Sequence, residues 1–226
     1  MKLRMLAAGA GAAVLLVGWA VPAQAAGQAN PGVTSGVVTP EEDARNSEGL
    51  ATSDGEATVL HRGQKVKIST AWEQGAQACV EFAVGDNRCF DSTKDADLAT
   101  AAFDATQSAA VAGKPAPTVG QAPTVVTGTP SCSSGWVCLW SDINYDGRKL
   151  QWSAAGQKNL ADWTFRDQAS SACNGKTQGG FTLYDARDFM LDPEMIIGAN
   201  GCVGNFTTVG YPYGGNWNDK ADYIQV

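Results

Sequence analysis

Aromatic residues are concentrated in the last 96 residues of the chain, from Ser131 to Val226, and this limits the folds open to that region. It holds five of the seven Trp, all five Tyr and four of the seven Phe. Twelve Gly divide it into short aromatic or branched runs, and no long stretch has the apolar period of a helix. Short strands joined by Gly-rich turns are typical of an antiparallel sandwich, so the sequence predicts an all-β domain over residues 131–226.

Two halves of this region repeat the same spacing. In residues 140–147, an aromatic is followed after four residues by a second aromatic, and then by Gly147. Residues 184–191 repeat the pattern with Leu in place of the final Gly. Further along, residues 165–171 and 217–223 share the order aromatic-x-Asp-x-Ala. We expect the two aromatics of each hairpin to pack together and the Gly to adopt a positive φ.

These motifs resemble the two-Greek-key signature of the βγ-crystallins. The opening at residues 131–140, where five residues separate Cys132 from Cys138, is similar to that of the secreted bacterial βγ-crystallin-like peptidase inhibitors of the streptomycete metalloproteinase inhibitor type. The resemblance covers residues 131–226 only. It implies a Greek-key sandwich that binds and inhibits a secreted metallopeptidase. We also expect a monomer. The second hairpin lacks the family Gly, so we expect its turn to differ.

The amino terminus has the pattern of a secretory signal peptide over residues 1–25. Lys2 and Arg4 precede an apolar stretch over residues 6–21, which ends in Ala-x-Ala at 23–25. A membrane anchor is the alternative, but Gly residues interrupt the stretch and no stop-transfer charges follow it. No later stretch approaches the ~20 apolar residues of a spanning helix. We therefore expect a secreted, extracellular protein without a membrane span.

The charge balance excludes several classes of partner and activity. The chain carries 16 Lys and Arg against 23 Asp and Glu, a net charge of −7, and removal of the signal peptide would leave 14 bases against 23 acids. Nucleic acid is a poor partner for such a chain. The single His, His61, excludes a multi-His zinc site, and we expect it at the surface. An enzyme is the least favoured hypothesis.

The six cysteines are an even number in a chain expected to be exported, which favours disulfides over thiols. Six cysteines allow fifteen pairings, and zinc binding is disfavoured because the chain has no Cys-x-x-Cys pair. Proximity in sequence suggests the pairs Cys79/Cys89, Cys132/Cys138 and Cys173/Cys202.

The region upstream of residue 131 divides by composition. Residues 26–56 are rich in Gly, Thr, Ser and acids, so we expect a disordered head. Residues 57–112 predict a small β unit with one strand through 66–72 and a second through 79–84, and its Ala-rich end beyond Ser92 is either a capped helix or a linker. Residues 113–130 predict an extended Pro-rich linker.

The resemblance directs attention to loops that could inhibit a peptidase. The segment 189–195 presents Phe189, Met190 and Leu191 close to a Pro, and we consider it the candidate inhibitory loop. The alternative, which the apolar alternation favours, is that Phe189 and Leu191 are core residues of the second hairpin. The reactive bond of the inhibitor family has no identifiable counterpart here.

Inhibition of a peptidase requires no cofactor. Calcium is a ligand that the sequence offers as an alternative. Calcium-binding crystallins use two Asn or Asp, two free residues, Ser or Thr, then Ser; residues 166–171 and 218–223 keep parts of this pattern. The candidate oxygen donors are Asp167, Ser170, Asn218, Asp219 and Asp222. Arg166 opposes a cation, and these residues could instead bond the local backbone as turns. The runner-up function is therefore a calcium-binding or cell-envelope-binding module without a peptidase target.

The aromatic segment 211–217 is a third candidate. Tyr211, Tyr213 and Trp217 lie around two Gly and could stack on a sugar or anchor a partner. A Gly-rich turn whose aromatics close the sandwich is the favoured interpretation.

Overall fold

The computed structural model describes residues 32–51, 55–113 and 131–226. The predicted signal peptide, and the predicted linker beyond Gly113, lie outside these residues. The helices are α1 Pro40–Ala51, α2 Ile68–Glu73 and α3 Thr93–Val111. The strands are β1 Val33–Val37, β2 Thr58–His61, β3 Gln64–Lys67, β4 Ala78–Ala83, β5 Asp86–Phe90, β6 Val137–Asp142, β7 Asp146–Trp152, β8 Gln157–Asn159, β9 Ser171–Asn174, β10 Phe181–Tyr184, β11 Pro193–Ile197, β12 Cys202–Val203 and β13 Tyr223–Gln225.

Residues 131–226 fold as two Greek keys, β6–β9 and β10–β13. One sheet contains the order β12-β9-β6-β7, and the other contains β11-β10-β13-β8. In each key the fourth strand returns to lie beside the first, while the third strand crosses to the sheet of the other key. This topology confirms the predicted all-β Greek-key sandwich.

The core lies between the two sheets and follows from the alternation of their strands. Side chains two residues apart point to the same face of a strand, so every second residue of β10 and β11 is buried. The large side chains that are fully buried here are Leu139, Leu150, Trp152, Phe165, Phe181, Phe206 and Trp217.

Three disulfides join the cysteines that are nearest in sequence. Cys79–Cys89 links β4 to β5, and Cys173–Cys202 links β9 to β12. Cys132–Cys138 ties the start of the domain to β6. No cysteine is left free.

The β unit over residues 57–112 does not form a sheet of its own. Strand β4 pairs in parallel with β7, Cys79 lying opposite Leu150, so the sheet that contains β6 and β7 extends to eight strands. The predicted strand through 66–72 is wrong, because the chain turns into α2 at Ile68. Ile68 and Ala71 are buried on one face of this short helix, and over so few residues the helical and strand periods are hard to distinguish.

The Ala-rich segment beyond Ser92 is the helix α3. The Ser92 Oγ accepts a hydrogen bond from the Asp95 N–H at 3.1 Å and caps the helix. The helix covers the outer face of the eight-stranded sheet. There Asp97 pairs with the buried Lys149, whose Nζ lies 2.7 Å from the Asp97 Oδ1.

The prediction of a disordered head is wrong over residues 33–51. Strand β1 pairs antiparallel with β11 along its whole length. The helix α1 then begins with a capping box, in which the Thr39 N–H donates to a Glu42 oxygen at 3.0 Å and the Glu42 N–H donates to the Thr39 Oγ1 at 3.3 Å. The segment orders without a core of its own because β11 supplies its partner.

Among the residues described, no helix combines the length and the apolar character that a bilayer crossing requires.

Candidate functional site

The candidate inhibitory segment 189–195 is divided by the structure: residues 193–195 lie in strand β11, and the rest belongs to the loop over residues 185–192 that joins β10 to β11. We call residues 185–192 the inhibitory loop; it projects two apolar side chains. Phe189 is 100% exposed and Met190 is 51% exposed, while Leu191 is partly buried. The interpretation of Phe189 as a core residue of the second hairpin is therefore wrong. The chain turns outward here because charged residues, Asp188 among them, interrupt the alternation of apolar positions that β10 and β11 maintain.

The first end of the loop is fixed by a buried carboxylate. Asp185 is 5% exposed, and its Oδ2 accepts a hydrogen bond from the Arg187 Nη2 at 2.7 Å. The hydroxyl of Tyr211 donates to the same oxygen and accepts from the Arg187 Nε at 3.1 Å. Burial, together with the bond to Asp185, raises the pKa of Tyr211 to about 12. This end of the loop is thus a closed polar cluster.

The second end is fixed by Asp192, which is 3% exposed. Its Oδ1 accepts the Arg187 N–H at 2.7 Å, across the loop, and its Oδ2 accepts the Tyr223 hydroxyl at 2.6 Å. Burial raises the pKa of Asp192, and these two hydrogen bonds offset part of the rise. The Tyr213 hydroxyl donates to the carbonyl of Leu191 at 2.8 Å, so the backbone beside the exposed tip is also held.

A third carboxylate, Asp222, lies beneath the loop. Its Oδ2 accepts the Ala186 N–H at 2.8 Å, and the guanidinium of Arg166 spans both of its oxygens. Burial raises the pKa of Asp222 to about 6 and outweighs the opposing effect of Arg166. The opposing effect of Arg166 is the smaller one because its side chain is 53% exposed and solvent partly screens its charge.

Both ends of the loop are therefore held before any partner arrives. The carboxylates of Asp185, Asp192 and Asp222 all accept hydrogen bonds from the loop backbone, from Arg187 or from tyrosine hydroxyls. Buried polar groups satisfied in this way make a loop rigid. The arrangement suits binding: a fixed loop with an apolar tip loses little conformational entropy when it enters a cleft.

The calcium candidates fall into two unequal groups. The Asp167 N–H donates to the Ala221 carbonyl at 3.0 Å, and the Asp219 N–H donates to the Ala169 carbonyl at 3.1 Å. Each motif thus donates one backbone hydrogen bond to the equivalent Ala of the other motif. The Ser170 Oγ donates to the Asp219 Oδ1 at 3.4 Å. The Asn218 Nδ2 donates to the other Asp219 oxygen at 2.6 Å.

The remaining two candidates are occupied by a cation of the protein itself. Arg166 pairs with Asp222 and lies 3.8 Å from the Asp167 Oδ2. Ser170, Asn218 and Asp219 are thus hydrogen-bonded to one another, whereas Asp167 and Asp222 face the guanidinium of Arg166. Within the described part of the chain, no three His, Cys, Asp or Glu side chains are grouped to hold a metal.

The aromatic segment 211–217 offers no stacking platform. Trp217 is fully buried and Tyr211 is 7% exposed, while Tyr213 alone of the three reaches the surface. The two tyrosines instead support the loop. His61, which we expected at the surface, is 1% exposed, with its Nε2 2.8 Å from the Asp91 Oδ1.

Sequence reasoning missed the residues that hold the loop. Asp185, Arg187, Asp192 and Tyr223 lie within the repeats and the candidate segment, but nothing in those patterns gave them a role in fixing a loop. The available signal was a pair of Asp residues flanking a short segment with an exposed apolar tip. The two Asp residues hold the loop because they bond Tyr211 and Tyr223, which lie 26 and 31 residues further along the chain.

Comparison with known proteins bears on this site. The model of Peptidase inhibitor family I36 matches residues 127–192, a segment that includes the first Greek key, β10 and the whole loop. The resemblance noted from the sequence is confirmed over that segment, and the match suggests a role as a peptidase inhibitor. A βγ-crystallin from Ciona intestinalis is similar at 20% identity with a TM-score of 0.31, over 40% of this chain and 98% of that chain. No curated protein matches.

Proposed function

We propose that this protein is a secreted inhibitor of extracellular metallopeptidases, and that the loop over residues 185–192 enters the peptidase cleft. The observation that carries the proposal is the full exposure of Phe189 on a loop whose two ends are fixed by buried carboxylates. The family match supports a peptidase as the partner. The resemblance to the metalloproteinase inhibitors supports the metallopeptidase class.

The geometry suggests how the loop resists turnover. Phe189 and Met190 supply apolar area that can be buried in a pocket of the peptidase. In protein interfaces, a few side chains buried in this way contribute most of the binding energy. If a bond at the tip is cut, the hydrogen bonds of Asp185 and Asp192 still hold both new ends. Product release is then slow, and the complex persists.

Secretion is part of the same proposal. The three disulfides of the described residues need an oxidising compartment to form and persist. The signal-peptide pattern over residues 1–25 supplies the route to such a compartment.

The proposal is tested by titrating a thermolysin-like metallopeptidase with the purified protein, with a subtilisin-like serine peptidase as the control. We expect a saturable loss of metallopeptidase activity near one-to-one stoichiometry and none with the serine peptidase. Loss of the serine peptidase activity instead would keep inhibition and overturn the metallopeptidase target. No loss with either enzyme at micromolar excess would reject inhibition altogether.

A calcium-binding or cell-envelope-binding module is the second candidate, favoured by the contact between Ser170 and Asp219 across the two Greek keys. Oxygen ligands from two segments would be joined by the ion, so calcium should raise the melting temperature. Asp219→Ala should remove that rise, and Asp188→Ala, which removes a charge on the exposed loop, should preserve it. A melting temperature that does not change with millimolar calcium would exclude calcium binding and leave only the cell-envelope-binding form of this candidate.

A further inference from the structure

The segment 33–51, which lies upstream of the family match, is hydrogen-bonded to the second end of the loop. The Val38 N–H donates to the Asp192 carbonyl at 3.0 Å. The Asp192 N–H donates to the Asp43 Oδ1 at 2.9 Å. Both backbone groups of Asp192 are therefore bonded to the upstream segment, while its carboxylate is bonded to Arg187 and Tyr223.

Strand pairing leads directly to this point. The register of β1 on β11 runs from Val33 opposite Ile197 to Val37 opposite Pro193, the residue after Asp192. The Ser35 Oγ also accepts the indole N–H of Trp217 at 2.8 Å. The pairing fixes Val38 and the start of α1 beside the loop.

The helix α1 positions a side chain beside the loop and adds no residue to the hydrophobic core. None of its residues is buried, so it adds little hydrophobic stabilisation. Its capping box holds the first turn, and this turn places Asp43 within reach of the Asp192 N–H. The carbonyl of Asn46, one turn further on, accepts the Gln157 Nε2 at 3.1 Å and anchors the helix to β8.

We infer that residues 33–51 form a brace that positions the inhibitory loop, with Asp43 as the positioning residue. This inference rests on the proposed function of the loop. Without the Asp43 carboxylate, the Asp192 N–H loses its acceptor in the protein and can hydrogen-bond only to water. The second end of the loop then becomes more mobile. A looser loop costs more entropy to bind and exposes its backbone longer to cleavage, so the protein becomes a weaker inhibitor and a better substrate.

The test compares three variants of the full chain. Asp43→Ala removes the acceptor, Asp43→Asn keeps an acceptor oxygen at the same place, and Glu41→Ala removes the same charge from the same exposed turn. We expect Asp43→Ala to weaken inhibition about tenfold and to speed cleavage within the loop by a similar factor, the effect of one hydrogen bond to a charged group. Asp43→Asn keeps a neutral acceptor and should lose less than Asp43→Ala, and Glu41→Ala should stay within about twofold of the unmodified protein.

Amide hydrogen exchange without peptidase separates this inference from the proposed function. Asp43→Ala should speed exchange about tenfold at Asp192 and Arg187 and leave the sheets unchanged. A protein that inhibits no peptidase but shows this local acceleration would reject the proposed function and retain the brace as the element that positions the loop. Unchanged exchange at Asp192 would overturn the brace, as would acceleration throughout the sheets, because Asp43 would then act on the fold as a whole.

Discussion

The two hairpins of the Greek keys occupy equivalent places in the repeat, yet their aromatic residues are used in opposite ways. In the first, the rings of Trp140 and Tyr145 pack edge to face with centroids 5.3 Å apart, as the sequence predicts. In the second, Phe189 replaces Tyr145 and points fully into solvent. Tyr184, the counterpart of Trp140, stacks instead on Tyr223 at 4.7 Å.

The supports beneath the two hairpins differ in the same sense. Asp222 lies under the second hairpin, where Ser170 occupies the matching position of the first repeat. One hairpin is therefore closed by apolar packing and the other by buried carboxylates. The comparison teaches that one scaffold can bury the aromatic of a turn or present it, depending on what fixes the ends of that turn.

The largest effect should come from the exposed aromatic. Phe189→Ala should weaken inhibition about hundredfold, ~3 kcal/mol, because a central apolar anchor is lost. The melting temperature should not change, since the side chain makes no core contact. The comparison variant Tyr145→Ala should do the reverse, lowering the free energy of unfolding by about 2 kcal/mol with inhibition intact. Inhibition constants and thermal melts of both variants would show whether the two hairpins really differ in role.

A smaller effect is expected at the glycine that the second hairpin lacks. Gly147 has a φ of 76°, and an added Cβ would lie 2.7 Å from the Asp142 Oδ2 and crowd the Ser141 Oγ, which accepts the Arg148 N–H. We expect Gly147→Ala to lower the free energy of unfolding by about 2 kcal/mol.

The control for this variant is Gly210→Ala, since an added Cβ there meets no atom within 4 Å. Urea unfolding of both variants measures the difference. Equal midpoints would mean that the turn of the first hairpin does not need its Gly.

The smallest effect concerns pH. The pKa of Asp222 is raised to about 6 from an ordinary 3.8, so the folded protein holds this proton more tightly than the unfolded chain. Its stabilising contribution is complete below pH ~4 and is lost as the pH rises through about 6. The free energy of unfolding should therefore fall by about 1 kcal/mol from pH ~5 to ~7.

Asp222→Asn should remove this part of the pH dependence, and Ser170→Ala in the first repeat should preserve it. Urea unfolding at a series of pH values gives the comparison. An Asp222→Asn protein that keeps the same slope would show that the carboxylate titrates outside this range.

Local patterns predicted the parts of the fold that depend on near neighbours. The density of aromatics and Gly predicted the β domain, and the spacing of Trp140 and Tyr145 predicted their contact. Ser92 gave the correct start for α3 under one of the two alternatives, a capped helix or a linker. Each of these features is decided within a few residues along the chain. Greek-key order followed from the resemblance rather than from the residues themselves.

The features that were missed depend on distant partners. Strand β1 has little apolar character of its own and is ordered by β11, so composition alone indicated disorder. The capping box from Thr39 to Glu42 was a local signal for α1 that the composition argument overlooked. The exposure of Phe189 followed from anchors on Tyr211 and Tyr223, which sequence spacing does not bring together.

The pairing of β1 with β11 also sets an order of assembly. A chain is synthesised from its amino end, so β1 emerges long before Ile197, the partner of Val33. Until then the first strand has nothing to dock on, and contacts between such distant residues form slowly because a long loop must close. Residues 33–51 are synthesised early but can pair with β11 only late. A nascent or truncated chain that lacks β11 therefore cannot fix the second end of the loop.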